Sequence, residues 1–297
     1  MTLLIALPTV HRLHVAVDAR LSSFNNRGTL VKWIDSSPKH VDLRFSGLGG
    51  FVAWTGVGAI DGVDTADWVA DVLRPDVVGK EPSLDVVLET LAAGASLFHR
   101  HLNKDEDALT FLVGALEGGR PILAMVSNRE PLHGTSQSEH AGFTISIGGW
   151  KRRVVVAGSG RDDVSPADMA VLRGISKHRW SYRQGGSCAD EWDAFVGGEL
   201  RDLIARVARS QKEKKKEETV SPTSNYWRMD LNGGISGSGN APFAPTAGTR
   251  QGNVIGDFLF LNRKRERGEI TAEEMNEELM RFSGYTKKAY EASSEEE

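Results

Sequence analysis

Two apolar runs at the start of the chain, Met1-Thr2-Leu3-Leu4-Ile5-Ala6-Leu7 and His14-Val15-Ala16-Val17-Asp18-Ala19-Arg20, flank a short turn at Pro8-Thr9-Val10-His11. Runs of this length and character around such a turn predict a β-hairpin. The position of Thr2 then acquires a chemical meaning. An initiator Met is generally removed before a residue this small, so the mature chain is expected to open with a threonine on a buried strand. Such a residue carries a hydroxyl nucleophile and a free α-amine on one atom framework. An α-amine titrates near pH ~8, close enough to neutrality to act as general base on its own hydroxyl. This is the N-terminal-threonine version of a nucleophile paired with its base.

Thr2, the strand Val15-Ala16-Val17-Asp18-Ala19-Arg20 and the later Pro38-Lys39-His40-Val41 resemble the N-terminal nucleophile (Ntn) hydrolases of the proteasome β-subunit and bacterial proteasome-like threonine peptidase family. The resemblance implies Thr2 as nucleophile, with Asp18 and Lys39 as its supporting ion pair. The step from Asp18 to Lys39 is longer than the family's usual step, which implies a loop insertion around Phe24 to Trp33 and leaves Lys32 as a competing lysine. Lys39 is preferred because the apolar strand Gly50-Phe51-Val52-Ala53-Trp54-Thr55-Gly56 follows it. The same resemblance implies that Ser159, in Gly158-Ser159-Gly160, hydrogen-bonds near the threonine amine. Arg20, Trp54, Thr55 and Gly56 then fall in the substrate and oxyanion region. Two departures stand out. Trp54 or Thr55 occupies the place of a customary glycine, so that a bulky Trp54 would restrict the pocket. The acidic partner of the serine has no clear match, Asp193 being near the right distance but within a helix.

Hydrophobic periodicity and turn residues lay out the rest of the chain. Leu21 to Ser37 reads as a loop with one short strand at Thr29-Leu30-Val31, and Val41 to Phe45 and Gly50 to Gly56 as strands. Helices are expected over Asp64 to Leu73 and from Ser83 to Leu102. Strand pairs are expected at Ala108–Ala115 with Pro121–Ser127, and at Gly142–Gly148 with Arg153–Gly158. Ser165-Pro166 opens a helix with an N-cap and proline at its first position, and a longer helix spans Ala189 to Lys216. Antiparallel hairpins with segregated helices give an α+β protein. The resemblance makes it a four-layer αββα sandwich with a C-terminal tail. The expected division is a hydrolase domain at 2–232, a Gly/Ser/Pro-rich flexible linker at 233–256 and a short helical segment at 257–297. Within that last segment, Phe258 to Glu274 is similar to a SHOCT module, with Thr271 and Glu274 as a capping box.

Composition closes off several function classes. A net charge of −4 supplies no basic surplus for nucleic acid. No apolar run approaches the ~18 residues of a membrane span. The single cysteine, Cys188, excludes an internal disulfide and suits a reducing, cytoplasmic setting. His99 and His101 have no Cys or acidic partner at metal-ligand spacing, and Gly233 to Gly239 lacks the Lys-Ser/Thr of a phosphate loop. No cofactor and no metal are expected. The reading is therefore a threonine-type hydrolase, foremost a self-compartmentalising peptidase acting on peptides or proteins. A homo-oligomeric ring and an ATP-dependent unfoldase would be its partners, with neither nucleic acid nor membrane. A small-molecule amidase and a catalytically silent scaffold are the alternatives.

Overall fold

A computed structural model describes residues 2–9, 11–24, 30–34, 39–60, 63–98, 109–129, 131–132, 135–150, 154–177, 187–214, 220–231, 234–238, 246–247, 271 and 273–274. The chain opens with the hairpin β1 (Leu4–Pro8) and β2 (Arg12–Asp18), followed by β3 (Leu21–Phe24), β4 (Leu30–Ile34), β5 (His40–Phe45), β6 (Leu48–Thr55), β7 (Val57–Ile60) and β8 (Val63–Asp64). Three helices come next, α1 (Thr65–Val72), α2 (Pro75–Val78) and α3 (Leu84–Phe98). Strands return as β9 (Thr110–Glu117), β10 (Arg120–Ser127), β11 (Ser136–His140), β12 (Phe143–Gly149) and β13 (Val155–Ala157). A 3-10 turn at Arg161–Asp163 leads to α4 (Pro166–Lys177) and α5 (Ser187–Glu213), and β14 (Ser224–Asp230), β15 (Ile235–Ser238) and β16 (Thr246–Ala247) follow. The protein is α+β, and most of its strand pairs are antiparallel.

The N-terminal hairpin lies inside a sheet of order β13-β1-β2-β14-β15, and a larger sheet has the order β11-β12-β10-β9-β6-β5-β16. Strand alternation assigns the faces. On β1, Leu4 and Ala6 join Val15, Val17, Phe51, Ala53, Leu112 and Trp227 in one core that draws on both sheets. Leu3, Ile5 and Leu7 point the other way, onto Leu172 of α4 and Val196, Leu200 and Val207 of α5. On β6 and β9, Val52, Trp54, Phe111 and Val113 pack with Val69 of α1 and Leu88 and Leu91 of α3. Each strand of the hairpin is buried on both faces, so a near-continuous apolar run rather than an alternating one encodes it. Asp64 caps α1 by accepting from the Ala66 N–H at 2.8 Å, and Ser165 caps α4 reciprocally with Asp168.

Several expectations need correction. Gly142–Gly148 and Arg153–Gly158 do not form a hairpin: β12 pairs with β10 and β11 in the larger sheet, whereas β13 pairs with β1 in the smaller one. Both segments are apolar and close in sequence, but adjacency does not specify a partner when the chain crosses between sheets. The expected loop from Leu21 to Ser37 holds two paired strands, β3 and β4. Pairing is not antiparallel throughout, since β3 runs parallel to β7 and β16 parallel to β5. β11, polar along its length, went unexpected, and β15 and β16 fall within the expected linker. The continuation of α3 to Leu102, His99 and His101, and most of the segment similar to SHOCT lie outside the described residues. Inside it, the capping box is present: Glu274 N–H donates to Thr271 Oγ1 at 3.1 Å and Thr271 N–H to Glu274 Oε2 at 2.7 Å.

A buried polar cluster ties α5 to the smaller sheet. Asp193 pairs with Arg12 of β2 and, at 2.5 Å, with Arg228 of β14. His14 lies against it, bonded through Nδ1 to the Tyr226 hydroxyl at 2.8 Å. Burial, reinforced by the charges of Arg12 and Arg228, lowers the His14 pKa to about 3. The unfolded chain takes up that proton near pH 6.5 and the folded chain only near pH 3, so acidification between those values favours unfolding. Each such histidine weakens the fold by about 1.4 kcal/mol per pH unit in that window. His14→Gln is therefore expected to flatten the fall in urea midpoint between pH 6.5 and 4, compared with the unsubstituted protein.

Candidate active site

Alternation along β1 carries Thr2 to the side of Leu4, facing the core shared by the two sheets. Thr2 is fully buried. Lys39, immediately before β5, crosses from the larger sheet and donates from Nζ to Thr2 Oγ1 at 2.8 Å and to Asp18 Oδ1 at 3.1 Å. Lys39 and Asp18 are 1% and 0% exposed, a pair of charges removed from water together. The Asp18 carboxylate is further saturated by main-chain donors. Leu3 N–H reaches Oδ1 at 2.9 Å, while Arg20 N–H and Ser221 N–H reach Oδ2 at 3.3 and 3.1 Å. Four donors thus converge on the buried carboxylate, the lysine ammonium among them.

The other side of Thr2 is closed by the turn after β13. Thr2 N–H donates to Ser159 Oγ at 3.2 Å, and Gly160 N–H donates to the Thr2 carbonyl at 3.4 Å. Gly158 adopts φ +96°, and a Cβ there would collide with the Thr2 carbonyl oxygen and lie 2.8 Å from Thr55 Oγ1. Glycine is required at this position both for the left-handed backbone and for the close approach. Thr2, Asp18, Lys39 and Ser159 thus form one connected group. Lys32 sits in β4, paired with Ser23, and it is Lys39 whose ammonium meets Thr2.

The residues of the expected oxyanion region divide. Thr55 comes close to Gly158 and so lies on the Thr2 side of β6, and Gly56 follows it with φ +107°. Trp54 does not face this space. Its side chain is completely buried with α1 and α3, so the expected restriction of the pocket by Trp54 is not found. The period of two along β6 is the reason: residues adjacent in sequence point to opposite faces. Arg20 reaches Asp18 by its main-chain N–H. Asp193 is engaged with Arg12 and Arg228 beneath α5 and is no partner of Ser159.

One contributor was not anticipated, and two were anticipated in narrower roles. Ser221 supplies a main-chain donor to Asp18 from the far end of the chain, a role that leaves no trace in residue type. Gly158 was noted only as part of a tripeptide, and Thr55 only as a backbone donor. His40, next to Lys39, stacks on Trp227 with ring centroids 4.2 Å apart, and burial lowers its pKa to about 4. Among the described residues no group of three or more His, Cys, Asp or Glu is placed to hold a metal ion. None of the described helices is long and apolar enough to cross a membrane.

No protein-family model and no curated protein matches this sequence. Similar solved structures include an Anbu (Gly-1) mutant from Hyphomicrobium sp. strain MC1, with 11% identity and a TM-score of 0.49 over 91% of this chain and 94% of that one. Anbu (ancestral beta-subunit) from Yersinia bercovieri is similar at 10% identity and the same TM-score of 0.49, over 90% of this chain and 94% of that one. These findings correct the resemblance drawn from sequence. Neither the proteasome β-subunit and bacterial proteasome-like peptidase family nor a SHOCT module is matched, and the structural likeness is to Anbu proteins at low identity.

The closeness of Gly158 to Thr2 has a measurable consequence. Gly158→Ala is expected to destabilise the protein by about 1–3 kcal/mol, from left-handed strain and displacement of the Thr2 carbonyl. Urea denaturation measures it. Gly174→Ala, at a glycine with open space around it, serves as the control.

Proposed function

We propose that this protein is an N-terminal threonine hydrolase in which Thr2, freed by removal of Met1, is the nucleophile. The observation that carries this reading is the Lys39 ammonium 2.8 Å from Thr2 Oγ1, itself anchored on Asp18. An isolated threonine hydroxyl is a weak nucleophile, and a cation held against its oxygen favours the alkoxide form. Once Met1 is gone, the Thr2 nitrogen becomes an amine able to take the hydroxyl proton. Ser159 Oγ, which accepts from that nitrogen, would orient it. Thr2 Oγ1 attacks a carbonyl carbon, the oxyanion is met by main-chain N–H groups at Thr55 or Gly56, and the amine returns its proton to the leaving nitrogen. An ester on Thr2 remains, and water resolves it through the same amine.

The four-layer αββα arrangement belongs to this reading. It is supported by the three cores, which succeed one another from α1 and α3 through both sheets to α4 and α5. So do the division at 2–232, 233–256 and 257–297 and a peptide or protein as substrate. A self-compartmentalising peptidase needs a homo-oligomeric ring around the site, served by an ATP-dependent unfoldase. A small-molecule amidase needs neither, so particle size by light scattering separates the two.

The intact mass tests the chemistry. The expected result is a mass lacking Met1, one adduct after treatment with a peptide vinyl sulfone, and no adduct in Thr2→Ala. Lys39→Met is expected to slow adduct formation by about 10³-fold or more, as loss of a member of a concerted catalytic group does. A chain that keeps Met1 and takes no adduct is a scaffold and not a hydrolase.

A further inference from the structure

Two backbone segments distant in sequence close around Thr2 and Asp18, and one side chain joins them. The first is the turn at Gly158-Ser159-Gly160, which contacts Thr2 through Ser159 Oγ and the Gly160 N–H. It continues into the 3-10 turn, where Asp163 N–H donates to the Gly160 carbonyl at 3.2 Å. The second is Val220-Ser221, whose Ser221 N–H holds Asp18 Oδ2. Gln211, near the end of α5, spans the gap: Nε2 donates to Asp163 Oδ2 at 2.9 Å, and Oε1 accepts from Val220 N–H at 3.1 Å.

The setting makes this amide more than a surface contact. Gln211, Val220 and Ser221 are all buried, and the Asp163 side chain is 6% exposed. The segments also touch directly, since a Cβ on Gly160 would meet Val220 Cγ2 at 2.6 Å and Leu3 Cβ at 3.1 Å. A glutamine can serve both ends because its amide carries a donor and an acceptor at fixed separation. The path from Gln211 through Val220 and Ser221 ends on the carboxylate that holds Lys39, and the path through Asp163 ends on the turn that holds Thr2. We infer that Gln211 is a positioning residue of the candidate site, fixing Asp18 and the Ser159 turn relative to each other. This rests on the hydrolase reading of Thr2. Gln211 touches neither Thr2 nor Asp18, so its effect on chemistry passes through geometry, where small displacements are costly.

The full-length protein is treated with a peptide vinyl sulfone, and adduct formation on Thr2 is followed by intact mass to separate the maximal rate from the half-saturating concentration. In Gln211→Ala the maximal rate is expected to fall about 10-fold with an unchanged half-saturating concentration, because alignment and not probe binding is lost. Gln211→Glu keeps the shape. Its ionised form opposes Asp163 and, only when protonated, regains the donor, with Lys214 at 3.6 Å from Asp163 the nearby cation. Its rate relative to the unsubstituted protein is therefore expected to rise as pH falls from 8 to 5.5, which loss of folding alone would not produce. Labelling of both variants within twofold of the unsubstituted protein at every pH overturns the inference. If the unsubstituted protein takes no adduct, the hydrolase reading has failed separately. Amide hydrogen exchange then decides: about 10-fold faster exchange at Val220 and Ser221 in Gln211→Ala supports the coupling of the two segments, and unchanged exchange overturns it.

Discussion

The Lys39–Asp18 ion pair is the interaction on which the geometry around Thr2 depends. Both charges are buried, and neither would be tolerated there alone. The pair gathers four parts of the chain: the N-terminal strand through Leu3, the end of β2 through Asp18, the approach to β5 through Lys39, and the segment after α5 through Ser221. Because the carboxylate is saturated by main-chain donors, its position is set by backbone paths and not by side-chain rotamers. The lysine, held on that carboxylate, donates to Thr2 Oγ1 as well.

The two sheets make this arrangement rigid. A hairpin buried on both faces, with Leu4 and Ala6 on one side and Leu3 and Ile5 on the other, cannot shift register without disrupting the packing of both cores. Thr2 therefore inherits its orientation from residues that have no chemical role. Gly114 serves the same end, for a Cβ there would come within 2.6 Å of Phe51 and 2.7 Å of Leu13, and its absence lets the facing sheets interdigitate. The polar cluster of Asp193, Arg12, Arg228 and His14 holds α5 onto the outer face of the smaller sheet, and α5 carries Gln211.

Local signals were legible where a residue's own type fixes its behaviour. The β1–β2 hairpin, the cap at Ser165, the turn at Gly118-Gly119 and the capping box at Thr271 all follow from short-range chemistry. Illegible features were those in which identity matters less than address. β13 reads as the partner of β12 because the two are neighbours in sequence, yet it joins β1 across the molecule. Trp54 reads as an obstacle because of its size, yet alternation turns it into the helical side of the sheet. The acidic partner of Ser159 has no clear match in the sequence, and Asp193, near the right distance, is claimed by two arginines.

The sequence by itself determined the apolar hairpin, the α+β character and a short set of residues, Thr2, Asp18, Lys39 and Ser159, that could act together. The hairpin and the α+β character follow from hydrophobic pattern, a local property, whereas the set of residues came from a family resemblance. Only the tertiary structure decided that Lys39 reaches Thr2, that Ser221 completes the shell of Asp18, that Gly158 must lack a Cβ, and that Gln211 joins the segments on either side. Main-chain donors and close approaches have no residue code. They exist only once distant segments have been brought within ~3 Å of one another by the packing of two sheets and the helices that cover them.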